Sequence, residues 1–392
     1  MTADFQIRIL WLTENYPPKS GGMAQSCDRL VRSLSERGVE IDVLHFCSSA
    51  KPLKVVKRLH GNYISCPVDE DPGHAMNLAW NLIKSQHAQA PYTHVVAFGG
   101  WLPIIAAPVY SAWLQAPLVV MLRGNDFDTA LFSPKRGDVL REALTRSSVV
   151  CAVDFDKARK VKLLYPSLHV VCTANGIDLT DWKDTESDRT KAEGWRADHV
   201  PLGKIVLGLF GHLKTKKGCA FFLEALQRTG LTDRFHLLLA GEVEPQTLTW
   251  LQSQQTITYT IQSYLDRYAL IPFFLACDWI VFPSFYDGLP NVLLESGALG
   301  IPALASRTGG LADALSEGED SVLFEPGDLH NCAAAICRVA QMSGEESRAF
   351  GKALRKAVVE RFDVKTEAQA YLDLFMSTKT AKRTVKSEVA VS

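Results

Sequence analysis

Residues 282–310 constrain the fold more than any other part of this chain. An apolar run ends at Pro283, a short polar turn follows, and a helical pattern begins near Pro290. A second apolar run at residues 303–306 then leads into the glycine pair Gly309-Gly310. Two buried strands joined through a helix indicate a parallel α/β sheet, in which ligands bind at the carboxyl ends of the strands.

The start of this helix has the features of an anion site. Proline at the first helical position costs no hydrogen bond, because that position has no partner for an N–H. The amides of Asn291, Val292 and Leu293 are predicted to point along the helix axis, with the positive end of the helix dipole behind them. We therefore expect a phosphate group to bind there.

Two carboxylates flank the helix start. Asp287 lies in the turn before it, and Glu295 lies in its second turn. Both would repel a bare phosphate, but both can accept hydrogen bonds from sugar hydroxyls. We expect Asp287 to bind a hexose and Glu295 a ribose, with a diphosphate on the amides between them. Either acid alone is more simply a solvated helix-start carboxylate, whereas the complete string favours a ligand.

Residues 287–295, Asp-Gly-Leu-Pro-Asn-Val-Leu-Leu-Glu, resemble the acidic signature of retaining, nucleotide-sugar-dependent glycosyltransferases of family 4 (GT4). The resemblance implies an α/β protein of GT-B architecture, with two Rossmann-like, doubly wound parallel-sheet domains facing across a cleft. It also implies transfer of a hexose from a UDP- or GDP-sugar to an acceptor hydroxyl. The first acid is more often glutamate in this family. The donor-binding residues it implies in this string are Asp287, Gly288, Leu289, Pro290, Asn291, Val292 and Glu295.

Two glycine-containing loops extend the resemblance to GT4. Gly21-Gly22, between the first strand and the first helix, is similar to the loop that meets the donor diphosphate. In residues 211–218, Lys217 matches the lysine that neutralises this diphosphate, and a lysine cluster at a helix start opposes the dipole unless an anion binds. His212 stands where arginine is usual, and either Lys214 or Lys216 is an alternative source of that charge.

Two further strings resemble GT4 sites near the acceptor. Arg123-Gly-Asn-Asp126 is similar to a His-Gly-x-Asp-like string whose first residue touches the donor sugar. Arg123 replaces the frequent histidine, so we expect it to hold a hydroxyl, a phosphate or an acidic group. Asp126, and Asn175 in a string resembling the domain crossover, are expected on the acceptor side. The predicted catalytic residues are Asp287, Lys217 and Arg123.

Asp126-Phe-Asp128 also spells the D-x-D triplet that holds a divalent metal in glycosyltransferases of the other architecture, GT-A. Asp154-Phe-Asp156 spells it again, which shows how little the triplet alone indicates. We therefore expect no metal and no cofactor beyond the donor substrate. The resemblance to GT4 implies a front-face reaction in which the leaving phosphate itself accepts the acceptor proton.

Strand-like runs alternate with helical patterns along the first half of the chain, which predicts a parallel sheet covered on both faces. We expect an acceptor-binding domain over residues 1–178 and, after a polar linker at residues 179–203, a donor-binding domain to residue 362. A helix over residues 363–378 is expected to return to the first domain, and residues 379–392 to be disordered. The apolar face of that helix is expected to consist of Phe362, Ala368, Tyr371, Leu372 and Phe375.

Composition argues against several classes of protein. A formal net charge of −1 gives no support to nucleic-acid binding. The nine cysteines are scattered without a Cys-x-x-Cys pair, which argues against a disulfide framework and a structural zinc site. We expect a cytoplasmic protein with at most peripheral contact with the inner membrane. The run containing Lys51, Lys54, Lys57 and Arg58 is more simply a solvated edge than a site for anionic lipid.

Other functions remain open at this point. A GT-B-fold nucleotide-sugar epimerase would use related anion sites, and a non-catalytic nucleotide-sugar-binding protein would bind without turnover. A nicotinamide dehydrogenase is disfavoured because the Gly21-Gly22 loop is not a G-x-G-x-x-G fingerprint. The sequence leaves open the nucleotide base, the acceptor and the linkage formed.

Overall fold

The structure, a computed structural model, describes residues 6–48, 52–68, 71–254, 256–263 and 265–389. The chain forms two compact units. Unit 1 comprises Met1–Ala174 and Val364–Ser392, and unit 2 comprises Asn175–Asp363. The boundary therefore falls between residues 174 and 175, four residues before the expected position.

Unit 1 is built on an eight-stranded sheet in the order β3-β4-β2-β1-β5-β6-β7-β8. Every neighbouring pair is parallel except β3 and β4. The middle strands are buried along their whole length, as expected for a parallel sheet covered by helices. The strands are β1 (Arg8–Thr13), β2 (Glu40–Cys47), β3 (Lys54–Lys57), β4 (Asn62–Pro67), β5 (His94–Phe98), β6 (Leu118–Leu122), β7 (Val149–Ala152) and β8 (Val170–Cys172).

Strand β3 lies in the basic run and is absent from the sequence-based prediction. All four of its residues are exposed, and it pairs with β4 alone as an antiparallel edge. Lysines on an edge strand discourage pairing with another chain. The run thus forms a solvated edge, the interpretation that the sequence favours. Lys51 lies outside the described residues.

Six helices of unit 1 follow its strands. Helix α1 is amphipathic and turns Cys27, Leu30 and Leu34 into the core beside β1 and β2. The helices are α1 (Gly22–Ser35), α2 (Pro72–Gln89), α3 (Trp101–Leu114), α4 (Asn125–Asp128), α5 (Pro134–Arg146) and α6 (Phe155–Leu164).

Unit 2 has a six-stranded parallel sheet in the order β11-β10-β9-β12-β13-β14. Counted within the unit, this is the Rossmann order 3-2-1-4-5-6, in which the strand order reverses between β9 and β12. Ligands of such sheets bind outside the carboxyl ends of the strands at that reversal. The strands are β9 (Ile205–Phe210), β10 (Phe235–Ala240), β11 (Thr258–Gln262), β12 (Trp279–Phe282), β13 (Ala303–Ser306) and β14 (Ser321–Phe324).

Unit 2 begins with a helix where the sequence predicts a polar linker. Thr185 and Asp188 form a reciprocal capping box at the start of this helix, and Arg196 fastens it to Asp278. The Thr-x-x-Asp spacing was the available signal, but the weakly apolar sequence concealed it. The helices are α7 (Glu186–His199), α8 (Cys219–Arg228), α9 (Pro245–Ser253), α10 (Arg267–Leu275), α11 (Asn291–Ala298), α12 (Gly309–Ala314), α13 (Leu329–Gln341) and α14 (Gly344–Arg361).

The last helix, α15 (Val364–Val389), belongs to unit 1. Ala368, Tyr371 and Phe375 are fully buried in the core of that unit, whereas Phe362 lies in unit 2. The backbone remains helical through Val389, beyond the expected end of this helix at residue 378, and the expected disorder from residue 379 stays a prediction. Alanine, lysine, arginine and glutamate in this stretch all favour helix. Residues 390–392 lie outside the described residues.

No helix in the described part of the chain combines the length and apolar character needed to cross a membrane.

Candidate functional site

Three loops of unit 2 begin at the carboxyl ends of neighbouring strands β9, β12 and β13. The first spans residues 211–218 and contains a 3₁₀ turn, Thr215–Lys217. The second spans residues 283–290, is called the donor loop, and leads into α11. The third leads through Thr308 into α12. Most of the sequence-predicted donor residues lie in these loops.

Glycines allow the three loops to pack backbone against backbone. A Cβ on Gly218 would lie 1.9 Å from the carbonyl oxygen of Pro283, and one on Gly309 would lie 1.9 Å from the carbonyl oxygen of Asp287. Both glycines have positive φ, +66° and +46°. A Cβ on Gly310 would lie 2.5 Å from a backbone nitrogen of the donor loop. Side chains are therefore excluded at these positions, and the donor loop is held from both sides.

Asp287 lies between two lysines. Its Oδ2 is bonded to Nζ of Lys217, and its Oδ1 is 3.8 Å from Nζ of Lys216. Nζ of Lys216 also lies 5.6 Å from the centre of the Tyr286 ring. The structure therefore brings two predicted catalytic residues together and adds Lys216, one of the alternative cations.

Helix α11 begins one residue later than the sequence predicts. Pro290 is the N-cap, with an extended ψ of 136°, and Asn291 is the first helical residue. The N–H of Leu293 donates to the carbonyl oxygen of Pro290 at 3.1 Å, so this amide belongs to the first turn. Of the three amides expected to meet a phosphate, that of Leu293 is therefore already bonded within the helix.

Glu295 lies in the second turn of α11 and is 8% exposed. Helix α11 packs closely against α14, because Gly297 has no side chain. A Cβ there would lie 2.5 Å from Val358 Cγ2. Burying a carboxylate costs free energy unless hydrogen-bond donors meet it. Glu295 has interaction partners within the protein, so the ribose contact expected of it stays a prediction.

Asn175 supports the donor loop. Its Nδ2 donates to the carbonyl oxygen of Leu289 at 2.7 Å, and the side chain is buried. The sequence predicts Asn175 on the acceptor side, but in the structure it is the first residue of unit 2 and contacts the predicted donor-binding string. The two residues are 114 positions apart, so the sequence carried no local signal of this contact.

His212 is paired with Glu242, a residue that the sequence analysis did not include in the site. Nε2 of His212 lies 2.7 Å from Oε2 of Glu242. The backbones of the two loops also pair, since Leu213 N–H donates to the Glu242 carbonyl oxygen at 2.8 Å. The signal for Glu242 was its position directly after a buried strand that neighbours β9. Lys214 lies in the same loop and is exposed.

In unit 1, Gly21 and Gly22 form the start of α1, as the sequence predicts. Gly21 is the N-cap, with a φ of 110° that suits glycine. A Cβ added there would meet no atom within 4 Å. The start of α1 therefore has open space for a ligand.

Arg123 binds side chains of the last helix of unit 1. Its side chain is 2% exposed, Nη1 donates to Tyr371 Oη at 3.0 Å, and Nη2 lies 3.5 Å from Glu367 Oε1. Burial disfavours the guanidinium charge, but Tyr371 and Glu367 outweigh it and raise the pKa of Arg123. The guanidinium therefore anchors α15, and its position gives no support to the expected substrate contact.

Asp126 is a structural cap in the same loop. Its carboxylate accepts backbone N–H bonds from Arg123 at 2.9 Å and Gly124 at 2.8 Å. Burial raises the pKa of Asp126, although these two bonds oppose the rise. The expected acceptor contact thus stays a prediction for a carboxylate that already has two partners.

The remaining acids of the D-x-D triplets also have partners. Asp128 is paired with Lys157 at 2.5 Å, Asp154 caps α6 by accepting the Lys157 N–H at 2.6 Å, and Asp156 is paired with Lys160 at 2.5 Å. Within the described ranges, no group of three or more histidine, cysteine, aspartate or glutamate residues is placed to hold a metal ion.

Two family models match this chain. The family model "Glycosyltransferase Family 4" matches residues 20–181, and "Glycosyl transferases group 1" matches residues 204–342. A glycogen synthase from Mycobacterium tuberculosis is 24% identical over 414 residues, with 96% of each chain covered. A D-inositol 3-phosphate glycosyltransferase from Acidothermus cellulolyticus is 23% identical, covering 82% of this chain and 78% of its own.

Solved structures share the fold across nearly the whole chain. Sucrose-phosphate synthase from Thermosynechococcus elongatus has a TM-score of 0.77 at 18% identity, covering 96% of this chain and all of its own. The Anabaena protein HepE in complex with UDP-glucose has a TM-score of 0.73 at 18% identity, with 95% of this chain and all of its own covered. The two matched families, the curated relatives and the two parallel-sheet units together show that this chain belongs to glycosyltransferase family 4 and is a glycosyltransferase of GT-B architecture.

Proposed function

We propose that this glycosyltransferase is a retaining hexosyltransferase that takes its sugar from UDP- or GDP-hexose and needs no metal ion. The observation that carries the proposal is the cluster of Lys217, Lys216 and Asp287 beside the start of α11. Cations and helix amides suit a diphosphate, and a carboxylate suits sugar hydroxyls. Solved neighbours that contain UDP or UDP-glucose support this class of donor.

Each donor residue has one role in this proposal. Lys217 and the amides of Asn291 and Val292 stabilise the negative charge that develops on the departing diphosphate. Asp287 accepts hydrogen bonds from the hexose, and Glu295 accepts them from the ribose. Preorganised charge of this kind lowers the barrier because it is already in place when the bond breaks.

The reaction breaks the bond between the anomeric carbon and the diphosphate oxygen and forms a bond from that carbon to the acceptor oxygen. The acceptor proton passes to the leaving diphosphate, so no separate catalytic base is required. Attack on the same face retains the anomeric configuration, which is the outcome implied by family membership. Asp126 already accepts two backbone N–H bonds, which argues against its use as a catalytic base.

Incubation with UDP-, GDP- and ADP-hexoses, with and without acceptor sugars and EDTA, tests the proposal. We expect acceptor-dependent release of one nucleoside diphosphate, unchanged by EDTA, and a product whose anomeric configuration by NMR matches the donor. Glu295→Ala should lose nucleotide affinity, whereas Asp287→Asn should mainly lose turnover. Conversion of the donor sugar without an acceptor would instead show an epimerase, and binding without turnover a sensor.

A further inference from the structure

Asp287 is paired with the two lysines that a donor diphosphate needs. We propose that donor binding exchanges partners: the diphosphate takes Lys217 from Asp287, and the released carboxylate then binds the sugar. This inference rests on the proposed function and has a consequence for which ligands bind. Asp287 discriminates against a nucleoside diphosphate that carries no sugar.

The Asp287 carboxylate and a donor diphosphate would compete for the ammonium group of Lys217. Lys217 Nζ is bonded to Asp287 Oδ2, and Lys216 lies 3.8 Å from the other carboxylate oxygen. The side chains of Lys217 and Asp287 are only 27% and 13% exposed, so solvent screens the pair less than a surface pair. A diphosphate at the start of α11 must therefore displace a partly buried contact.

The backbone around Asp287 is fixed, so the exchange is a side-chain movement. Gly309 and Gly310 pack directly against the donor loop, where no Cβ fits. Asn175 holds the Leu289 carbonyl oxygen from another direction at 2.7 Å. Phe285 N–H donates to the Lys216 carbonyl oxygen at 3.0 Å, which ties the donor loop to the lysine turn.

Two ligands that share the diphosphate then differ in what they offer the released carboxylate. A sugar nucleotide supplies hydroxyl donors to Asp287, which compensate for the lost lysine. A nucleoside diphosphate supplies none, and leaves the carboxylate beside a second negative charge. The ion pair therefore weakens binding of the product nucleotide relative to the donor, which favours product release.

A double-mutant cycle on Asp287→Asn and Lys217→Gln tests the exchange. The probes are inorganic pyrophosphate and whichever of UDP, GDP or ADP binds the wild type, measured by calorimetry. We expect Asp287→Asn to tighten both probes by roughly three- to tenfold, in keeping with loss of a partly buried ion pair. In the Lys217→Gln background, Asp287→Asn should tighten binding by a factor about three times smaller than it does in the wild-type background.

Glu224→Gln is the matched control, because it removes one carboxylate that pairs with Arg228 on the exposed face of α8. It should leave both affinities unchanged. Asp287→Ser removes the same charge with a different side chain and should tighten binding in the same direction, and circular dichroism checks folding of each variant.

The inference is overturned if Asp287→Asn and Asp287→Ser leave nucleoside diphosphate binding unchanged or weaken it, or if the gain is the same with and without Lys217. The second result would indicate simple repulsion without a shared partner. If the wild type transfers sugar but either result appears, only the inference fails. If no nucleotide or sugar nucleotide binds the wild type, the proposed function fails and the inference falls with it.

Discussion

Gly310 is a residue where a single added carbon should damage the site directly. Its Cβ would lie 2.5 Å from the backbone nitrogen of Leu289, so Gly310→Ala must push the donor loop away from α12. We expect a lower melting temperature and donor binding weakened by about tenfold, since backbone shifts of this kind cost about 1–3 kcal/mol. Calorimetric titration with the nucleotide that binds the wild type measures the loss of affinity.

Gly194→Ala is the control for this glycine. Gly194 lies inside α7, and a Cβ there would meet nothing within 4 Å. Alanine should stabilise the helix by about 0.5–1 kcal/mol without changing nucleotide affinity. Equal affinities in the Gly310→Ala and Gly194→Ala proteins would contradict the packing described for the donor loop.

Asn175 tests the support of the donor loop from the other side. Asn175→Leu removes the N–H that bonds to the Leu289 carbonyl oxygen at 2.7 Å and leaves a buried acceptor without that donor. We expect a loss of about 1–3 kcal/mol in unfolding free energy, measured with urea, together with weaker nucleotide binding. Asn77→Ala, which removes an exposed bond to the Gly73 carbonyl oxygen, should change neither by a measurable amount.

At the residue scale, local strings were predictable and distant partners were not. Asp287, Lys217 and Glu295 stand in short motifs whose chemistry is visible in the sequence. Pro290 was placed one position too far into the helix, because N-cap and first-turn proline have the same sequence appearance. The partners of Asn175 and Arg123 come from 114 and more positions away, and no local pattern encodes them.

Helix α15 depends on a buried ion pair. Glu367 lies 3.5 Å from Arg123 and 3.4 Å from Arg29, and its side chain is 2% exposed. Glu367→Met leaves Arg123 buried without this carboxylate, so we expect a loss of about 3–5 kcal/mol in unfolding free energy. Urea unfolding followed by tryptophan fluorescence measures it.

Replacing both partners provides the control for that prediction. Arg123→Met combined with Glu367→Met should recover part of the lost stability, because the buried Arg123 charge is then removed together with its carboxylate, whereas Arg29 loses that carboxylate in both proteins. Arg141→Ala, which breaks an exposed pair with Asp138, should cost at most about 0.5 kcal/mol. A Glu367→Met protein as stable as the wild type would refute the anchoring role of Arg123.

Strand β10 carries a histidine that should make stability depend on pH. Burial, followed by the charge of Lys204, lowers the pKa of His236 from 6.5 to about 4. As pH falls from 6.5 towards 4, the unfolded chain binds a proton that the folded protein excludes, so stability falls through that window. Above pH 6.5 the histidine is neutral in both states and its contribution is constant.

Urea midpoints measured between pH 4 and 7 check this expectation. His236→Gln should flatten part of the fall, whereas His330→Gln on the exposed side of α13 should not. His45 in β2, whose pKa burial also lowers to about 4, accounts for a similar part of the fall in unit 1. An unchanged slope in His236→Gln would show that the ring is not the source.

At the element scale, strong periodicity decided which predictions held. The alternation of buried strands with helices was predictable, because strands covered on both faces are apolar along their whole length. Helix α7 was missed because only Ala192 in it is buried, so its sequence has little apolar periodicity. Strand β3 was missed for the same reason, since an exposed edge strand has no buried face.

At the scale of the whole molecule, the alternation of strands and helices determines the two parallel sheets. The reversal of strand order between β9 and β12 places Lys217 and Asp287 at the same end of the sheet of unit 2. That position, more than any single residue, makes a nucleotide sugar the expected ligand.

Thermal unfolding with UDP, GDP, ADP and their hexose derivatives, each with and without EDTA, tests this central claim most directly. We expect one nucleotide and its hexose derivative to raise the melting temperature by the same amount with and without EDTA. Glu295→Ala should abolish this shift. No shift with any nucleotide, or a shift that requires a divalent metal, would contradict the roles given to Lys217, Asp287 and Glu295.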